Sequence, residues 1–150
     1  MKSSALIVIV LLSAFEMSSS TTDPIDLNLS DYRWENRIIL LFARDGADEQ
    51  YHHQIELFKS EKAGMTDRDL MVVSVFTDEY SHLNGERITD GSADQIRNRY
   101  RDEPGAFTFI LLGKDGGVKI RASEVVEIDK LFGRIDSMPM RQREMRDSGR

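Results

Sequence analysis

Arg37–Ala43 reads RIILLFA, with five large apolar side chains in unbroken succession. A strand that has one face in water alternates apolar and polar residues, whereas a strand covered on both faces is apolar throughout. This stretch therefore predicts a central strand in a sheet that carries helices on both faces.

The residues after this strand predict a βαβ unit. Apolar side chains recur at helical spacing up to Phe58, and Gly64 is a typical helix stop. Leu70–Phe76 is a second buried run, rich in valine. A strand, a helix and a strand in this order predict a right-handed parallel crossover. We expect Phe42 to pack against Ile55 and Phe58 of the helix.

The second half of the chain predicts a helix and a hairpin. Ser92 and Gln95 have the spacing of a capping box at a helix start. Residues 107–112 and 118–121 are short strand-forming runs, and the glycine-rich stretch 113–117 between them is typical of a turn. We therefore expect the two runs to pair as antiparallel strands.

The last predicted element completes the order βαβ, α, ββ, α. Apolar residues from Ile128 to Met138 share one helix face, and Pro139 marks its end. This order predicts an α/β fold of the thioredoxin-like class, with a four-stranded mixed sheet and helices on both faces. We expect Trp34, ahead of the first strand, to pack over the sheet edge.

Residues 1–20 have the pattern of a signal peptide. Lys2 precedes an apolar run from Ala5 to Phe15, and serines and threonines follow. The run is shorter than the roughly 20 apolar residues that span a bilayer. We therefore expect cleavage near Ser20, no stable membrane span afterwards, and a secreted or periplasmic product.

The rest of the chain is predicted to have three parts. Residues 21–28 are polar and contain a proline, which predicts a linker. Residues 29–140 are the expected thioredoxin-like domain. Residues 141–150 are rich in arginine and are expected to form a polar tail.

Charge and cysteine content exclude two classes of function. The net charge of -6 argues against a nucleic-acid partner, because phosphate binding needs a basic surface. The chain has no cysteine, so peroxide reduction or disulfide exchange by a thiolate is excluded. The stability of the fold must come from packing rather than from disulfides.

Three groups of residues resemble the motifs of a known family. The opening group is Tyr32, Arg33, Trp34, Asn36 and Arg37. The middle group is Gly105, Phe107, Thr108 and the hairpin 113–121. The closing group is Ile135, Asp136, Met138, Pro139, Met140, Arg141, Gln142 and Glu144. Together they resemble a peroxiredoxin-like domain of unknown function, which occurs in exported bacterial proteins and in vertebrate extracellular proteins that include sushi-repeat proteins. The resemblance implies a thioredoxin-type fold and no established reaction.

The predicted junction of the first strand and the first helix is the candidate site. Thioredoxin-type domains place their reactive group there, where the helix start stabilises negative charge. Arg44 as a cation and Gly46 as a flexible turn favour a small anion at this helix start. The alternative is that Arg44 and Asp45 simply solvate a turn. Arg121, at the end of the hairpin, resembles the place of an arginine that peroxiredoxins use near their site.

Two histidines, His52 and His53, are weak candidates for metal ligands. They share a predicted helix with carboxylates one turn away, which is a spacing that metal sites use. A solvated helix face gives the same pattern, and no distant histidine or cysteine completes the set. We expect no metal and no cofactor.

Two functions remain open on the sequence. The first is a non-enzymatic binding or scaffold module, whose loops at 43–47 and 77–91 and whose Gly105 region face an unknown protein or a small anionic ligand. The second is an enzyme with a non-thiol site near Arg44 and metal- or cofactor-dependent redox chemistry. A concave site with converging polar groups would indicate the enzyme, and a flat charged junction would indicate the binding module.

Overall fold

The structure is a computed structural model of the chain and describes residues 22–101 and 103–149. The predicted signal peptide, residues 1–20, lies outside the described residues.

Strands of the described chain form a single six-stranded sheet. They are β1 (Arg37–Ala43), β2 (Leu70–Phe76), β3 (His82–Leu83), β4 (Glu86–Arg87), β5 (Thr108–Leu112) and β6 (Val118–Ala122). The order across the sheet is β4-β3-β2-β1-β5-β6. β1 pairs parallel with β2 and antiparallel with β5, and β5 pairs antiparallel with β6. The predicted parallel crossover and the predicted hairpin are both present.

Helices lie on both faces of the sheet. They are α1 (Glu49–Ser60), α2 (Lys62–Asp67), α3 (Asp90–Tyr100), α4 (Ile128–Asp136) and α5 (Pro139–Asp147), after a short 3-10 helix at Leu29–Tyr32. None of the helices within 22–101 and 103–149 has the length and apolar character needed to cross a membrane.

β1 lies at the centre of the molecule, and all seven of its residues are buried. Its side chains alternate between two apolar cores. Ile38, Leu40 and Phe42 belong to the core beneath α3, whereas Ile39 and Leu41 belong to the core beneath α1 and α4. A fully apolar strand was expected to be covered on both faces, and the structure confirms this.

The expected contact of Phe42 with Ile55 and Phe58 is wrong. Phe42 packs in the same core as Ile96 of α3, whereas Phe58 packs in the core on the opposite face. Successive side chains of a strand point to opposite faces, so the face that α1 covers is the one reached by Leu41. The sequence pattern of β1 is apolar at every position and therefore does not distinguish the two faces.

The sheet has six strands rather than the predicted four. The additional strands β3 and β4 are two residues each and extend the sheet beyond β2, where Ser74 pairs with His82 and His82 pairs with Arg87. Two residues are too few to produce an alternating pattern, so the sequence carries no strand signal there.

The described part of the predicted linker, residues 22–28, packs on the domain. Ile25 forms a parallel bridge with Ile88, and Leu27 is buried. The Leu27 N–H donates to Ser92 Oγ at 2.8 Å. The folded unit therefore begins before Leu29, since Ile25 and Leu27 both pack in the core beneath α3.

The predicted polar tail is also part of the fold. Pro139 begins α5, which continues to Asp147, and Arg141 on this helix is only 5% exposed. α4 ends before Pro139 as predicted, and the proline then starts a helix that the sequence prediction missed, because the first helical position needs no N–H donor.

Two helix boundaries differ from the sequence prediction. The side chain of Thr89 caps α3 by accepting the Ser92 N–H at 3.2 Å, so the cap lies three residues before the predicted one. Gly64 lies inside α2 rather than ending a helix, and the break between α1 and α2 falls at Glu61.

Trp34 does not cover the sheet edge as expected, because its side chain is 65% exposed. Its backbone has a positive φ of 69°, and its N–H donates to the carbonyl of Lys114 at 2.7 Å. The backbone rather than the indole ring therefore contacts the hairpin.

Candidate functional site

The predicted site at the strand-to-helix junction is an exposed, charged turn. The Arg44 side chain is 67% exposed, and its Nε donates to Asp45 Oδ2 at 3.0 Å. The hydrogen bond and the negative charge of Asp45 raise the pKa of Arg44, so its guanidinium stays cationic. The Arg44 carbonyl accepts the N–H groups of Thr77 and Asp78, which ties the turn to the end of β2.

Carboxylates of the chain itself accept hydrogen bonds from the backbone amides around the start of α1. Glu79 Oε2 accepts the Gly46 N–H at 3.0 Å, and Asp45 Oδ1 accepts the Ala47 N–H at 3.0 Å. Asp48 caps the helix by accepting the Tyr51 N–H at 3.0 Å. An anion placed at this helix start would have to displace these carboxylates.

Arg121 does not approach Arg44. It pairs with Ile110, which in turn pairs with Leu40, four residues before Arg44 on β1. Its guanidinium donates to the carbonyl of Tyr100 at 2.8 Å, on the α3 side of the sheet. Arg44, in contrast, lies in the turn between β1 and α1, and α1 covers the face of the sheet opposite α3. The structure therefore does not bring the two predicted arginines together.

The candidate metal ligands His52 and His53 are both exposed on α1. Among the described residues, no group of three or more histidine and acidic side chains has the arrangement to hold a metal ion.

A wide acidic groove lies beside the predicted junction, at the carboxyl ends of β1 and β2. It encloses about 700 Å³. Its lining residues are Thr77, Asp78, Glu79, Tyr80, His82, Asp90, Asp94 and Arg97. We call it the carboxyl-end groove. Four carboxylates and one guanidinium line it, so its charge is negative.

One aromatic side chain stands out in this groove. Tyr80 is 56% exposed, and the Arg87 guanidinium lies 3.3 Å from the centre of its ring. The sequence prediction included the 77–91 loop as a partner-facing surface but missed Asp94 on α3. The signal for Asp94 was its position one helical turn after Asp90, at the start of that helix.

Ion pairs between buried cations and partly exposed carboxylates join the chain at the opposite end of the sheet, where β1 and β2 begin. Arg37 is 1% exposed and donates to the two carboxylate oxygens of Glu144 at 3.1 and 3.2 Å. The Lys114 Nζ lies 2.9 Å from Glu144 and 2.8 Å from Asp69.

Two further arginines extend these ion pairs. Arg68 donates to the two oxygens of Asp136 at 3.0 and 2.6 Å. Arg141 donates to Asp136 at 3.2 Å and also pairs with Asp67. We call the whole set the amino-end network. It consists of Arg37, Arg68, Lys114, Arg141, Asp67, Asp69, Asp136 and Glu144.

The network lowers the pKa of two of its carboxyl groups. Burial by itself raises the pKa of Glu144, but hydrogen bonds from Arg37 and Lys114 outweigh burial and hold the pKa below its ordinary value. For Asp136, burial likewise opposes ionisation, and hydrogen bonds from Arg68 and Arg141 lower the pKa. Both groups therefore stay ionised at neutral pH.

Four residues of the amino-end network belong to the opening and closing motifs. Arg37 belongs to the opening motif, whereas Asp136, Arg141 and Glu144 belong to the closing motif. A family model matches residues 28–144, which include both motifs. This chain belongs to the family described as domain of unknown function DUF4174. Membership confirms the resemblance that the motifs predicted, and the DUF4174 match extends past residue 140 into α5.

A curated relative matches a similar part of the chain. Coiled-coil domain-containing protein 80 of Danio rerio is 29% identical over 133 residues, which cover 78% of this chain. The same match covers 15% of that protein, so the DUF4174 chain spans a small fraction of its relative's length.

Solved structures confirm the fold class. The reduced 2-Cys peroxiredoxin of Plasmodium vivax aligns with a TM-score of 0.54 at 13% identity, over 78% of this chain and 85% of that one. Plasmodium yoelii Prx1a aligns with a TM-score of 0.52 at 17% identity, over 83% of each chain. The DUF4174 chain therefore has the thioredoxin-like fold of peroxiredoxins, and it has no cysteine.

Proposed function

We propose that this protein is a non-enzymatic binding module that acts outside the cytoplasm, and that a basic segment of a partner protein docks in the carboxyl-end groove. One observation carries the proposal. The position that thioredoxin-type domains use for thiol chemistry has no cysteine here, and carboxylates of the chain itself bind the amides of Gly46 and Ala47.

The composition of the groove supports a cationic partner. Asp78, Glu79, Asp90 and Asp94 line it, and Arg97 is the only cation among its lining residues. Opposite charges across an interface steer association and select the partner. The exposed ring of Tyr80 adds an aromatic anchor of the type that carries binding energy in interfaces.

The alternative function, a metal- or cofactor-dependent redox enzyme near Arg44, lacks a converging site. Arg44 and His52 are exposed, and Arg121 lies on the α3 side of the sheet. None of the described cavities has Arg44 in its lining.

Docking is tested with a fluorescently labelled arginine-rich peptide as the probe. Fluorescence anisotropy should show saturable binding that weakens as salt rises. Asp90→Asn should weaken binding at least about fivefold. Asp129→Asn is the matched control, because Asp129 also lies in the first turn of an exposed helix, outside the groove. Equal weakening by both substitutions would show that only net charge matters.

Export is tested separately, since it rests on residues 1–20 alone. We expect mass spectrometry of the protein from its native host to find a mature amino terminus near Thr21 in the secreted or periplasmic fraction. An intact amino terminus in the membrane or cytoplasmic fraction would contradict the proposal.

A further inference from the structure

We propose that a second cavity, next to the amino-end network, binds a small oxyanion: sulfate or phosphate, free or as an ester group. This cavity lies at the opposite end of the sheet from the carboxyl-end groove, and the inference does not depend on the proposed protein-binding function. It encloses about 340 Å³. Its lining residues are Arg37, Gly113, Lys114, Asp115, Lys119, Arg134, Met138, Pro139 and Met140.

The charge of this cavity has the opposite sign to that of the protein. Arg37, Lys114, Lys119 and Arg134 line it, and Asp115 is the only acidic lining residue. The whole chain carries a net charge of -6. Ion pairs with Glu144, Asp69 and Asp115 hold three of these cations around the cavity.

The ion pairs of these cations leave hydrogen-bond donors unused. Arg37 is 1% exposed, and its Nε has no hydrogen-bond partner in the described chain. A buried donor without an acceptor costs free energy, and an anion bound beside Arg37 would supply the acceptor.

The two lysines also have donors to spare. An ammonium group has three donors. Lys114 contacts two carboxylates, Asp69 and Glu144, and Lys119 contacts one, Asp115. Each lysine therefore keeps at least one N–H for a ligand.

Arg134 is the most available cation of the cavity. Within the described chain its guanidinium has no hydrogen bond and no ion pair, although the neighbouring basic side chains all have partners. A guanidinium presents a planar set of donors that matches the oxygens of sulfate or phosphate.

The backbone around the cavity also favours an anion. α5 begins at its wall with Pro139, and no side chain caps this helix. The first-turn amides of a helix lack internal acceptors and carry partial positive charge. Gly113 lets the Lys119 side chain lie close to the turn, since a Cβ at position 113 would lie 2.5 Å from Lys119 Cε.

The cavity is large enough to hold either a free oxyanion or a small organic molecule that carries one. Organic ligand sites begin at about 300 Å³. The chemistry shared by the two sources is the tetrahedral oxyanion, and the experiment separates them by comparing inorganic sulfate and phosphate with phenyl phosphate.

The single tryptophan provides a built-in probe of this cavity. The backbone N–H of Trp34 donates to the carbonyl of Lys114 at 2.7 Å, so the tryptophan is attached through its backbone to the turn that carries a cavity lysine. Tryptophan fluorescence of the full protein is titrated with each anion at constant ionic strength, with chloride as the balancing ion. We expect saturable changes with sulfate or phosphate and a higher melting temperature at saturation.

Variants decide whether the change comes from this cavity. Arg134→Ala should weaken the binding at least about tenfold without unfolding the protein, because the Arg134 side chain has no ion-pair partner among residues 22–101 and 103–149. Arg143→Ala on the exposed part of α5 removes the same charge outside the cavity and should leave binding unchanged. Lys119→Gln provides a second cavity variant with the same expected loss.

Each outcome of the titration has a defined meaning. Saturation by inorganic ions alone supports a site for a free anion, and tighter saturation by phenyl phosphate supports a site for an ester group. A change that follows ionic strength without saturating, or equal loss in Arg134→Ala and Arg143→Ala, would overturn the proposal.

Discussion

At the scale of single residues, Arg37 illustrates how a buried charge fixes the position of a distant segment. It occupies the first position of β1 at 1% exposure, where an unpaired cation would be very costly. Its partner Glu144 lies 107 residues later in the chain. The pair therefore holds α5 against the start of the central strand.

The lowered pKa of Glu144 makes stability depend on pH. Because the folded pKa lies below the ordinary value of 4.5, the unfolded chain takes up protons first as the pH falls. The stability from this pair is thus fully present above the ordinary pKa and is lost toward lower pH. We expect the free energy of unfolding by urea to decline below about pH 5. Glu144→Gln should be less stable at pH 7 and show a shallower decline.

The exposed Glu124→Gln serves as the control for this experiment. It should keep both the stability at pH 7 and the steep decline in acid. A decline of equal slope in Glu144→Gln and in the unsubstituted protein would show that Glu144 is not the titrating group.

Phe42 on β1 and Arg44 in the turn that follows the strand should differ strongly in their contribution to stability. Phe42 is 1% exposed in the core beneath α3, so Phe42→Ala should cost about 3 to 5 kcal/mol. Arg44→Ala should cost under about 1 kcal/mol, because Arg44 is exposed and pairs only with surface carboxylates. Urea unfolding of both variants measures the difference, and equal costs would contradict the burial pattern of β1.

At the scale of elements, α2 and α4 meet through a glycine. A Cβ at Gly64 would lie 2.5 Å from Cε2 of Phe132 on α4. The Arg68 guanidinium lies 4.0 Å from the centre of the same ring, which limits where the ring can move. The glycine that resembled a helix stop therefore serves helix packing.

Gly64→Ala should accordingly destabilise the protein by about 1 to 3 kcal/mol through overpacking. Gly133→Ala within α4 is the matched substitution, because nothing lies within 4 Å of its Cβ position. That change should stabilise the protein by about 0.4 to 1 kcal/mol, as alanine restricts the unfolded chain. Thermal melts of the two variants should shift in opposite directions, and shifts of the same sign would refute the packing argument.

At the scale of the whole molecule, the two ends of the sheet have different roles. The carboxyl ends of β1 and β2 lie beside the acidic groove, while at their amino ends part-buried ion pairs tie β1 to the hairpin and α5. The last helix, α5, is therefore part of the folded structure, although its sequence has the composition of a solvated tail.

Removing α5 tests this arrangement. A chain that ends at Met138 loses Arg141 and Glu144 and leaves Arg37 without its carboxylate. Breaking a buried ion pair costs about 3 to 5 kcal/mol, so we expect a large loss of stability in urea unfolding. A chain that ends at Gly149 should match the full protein. If the shorter chain is equally stable, α5 does not hold the fold together.

The sequence by itself determined the fold class, because that depends on local patterns. An unbroken apolar run predicts a central strand, helical spacing predicts the flanking helices, and the absence of cysteine excludes thiol chemistry without any coordinates. The motif residues also identified the family correctly. Each of these properties can be recognised within a short stretch of chain or by counting residues.

Only the tertiary structure decided which charged residues act together. Arg37 and Glu144 lie far apart in the chain, and nothing in either neighbourhood specifies the other. The four cations that line the cavity proposed to bind an oxyanion likewise come from β1, the hairpin and α4. Arg44 and Arg121, which the sequence suggested as one site, lie apart: Arg44 is in the exposed turn after β1, whereas Arg121 is on β6 and donates to the carbonyl of Tyr100. The physical reason is that electrostatic interactions depend on distance in space, which the spacing of residues along a chain does not record.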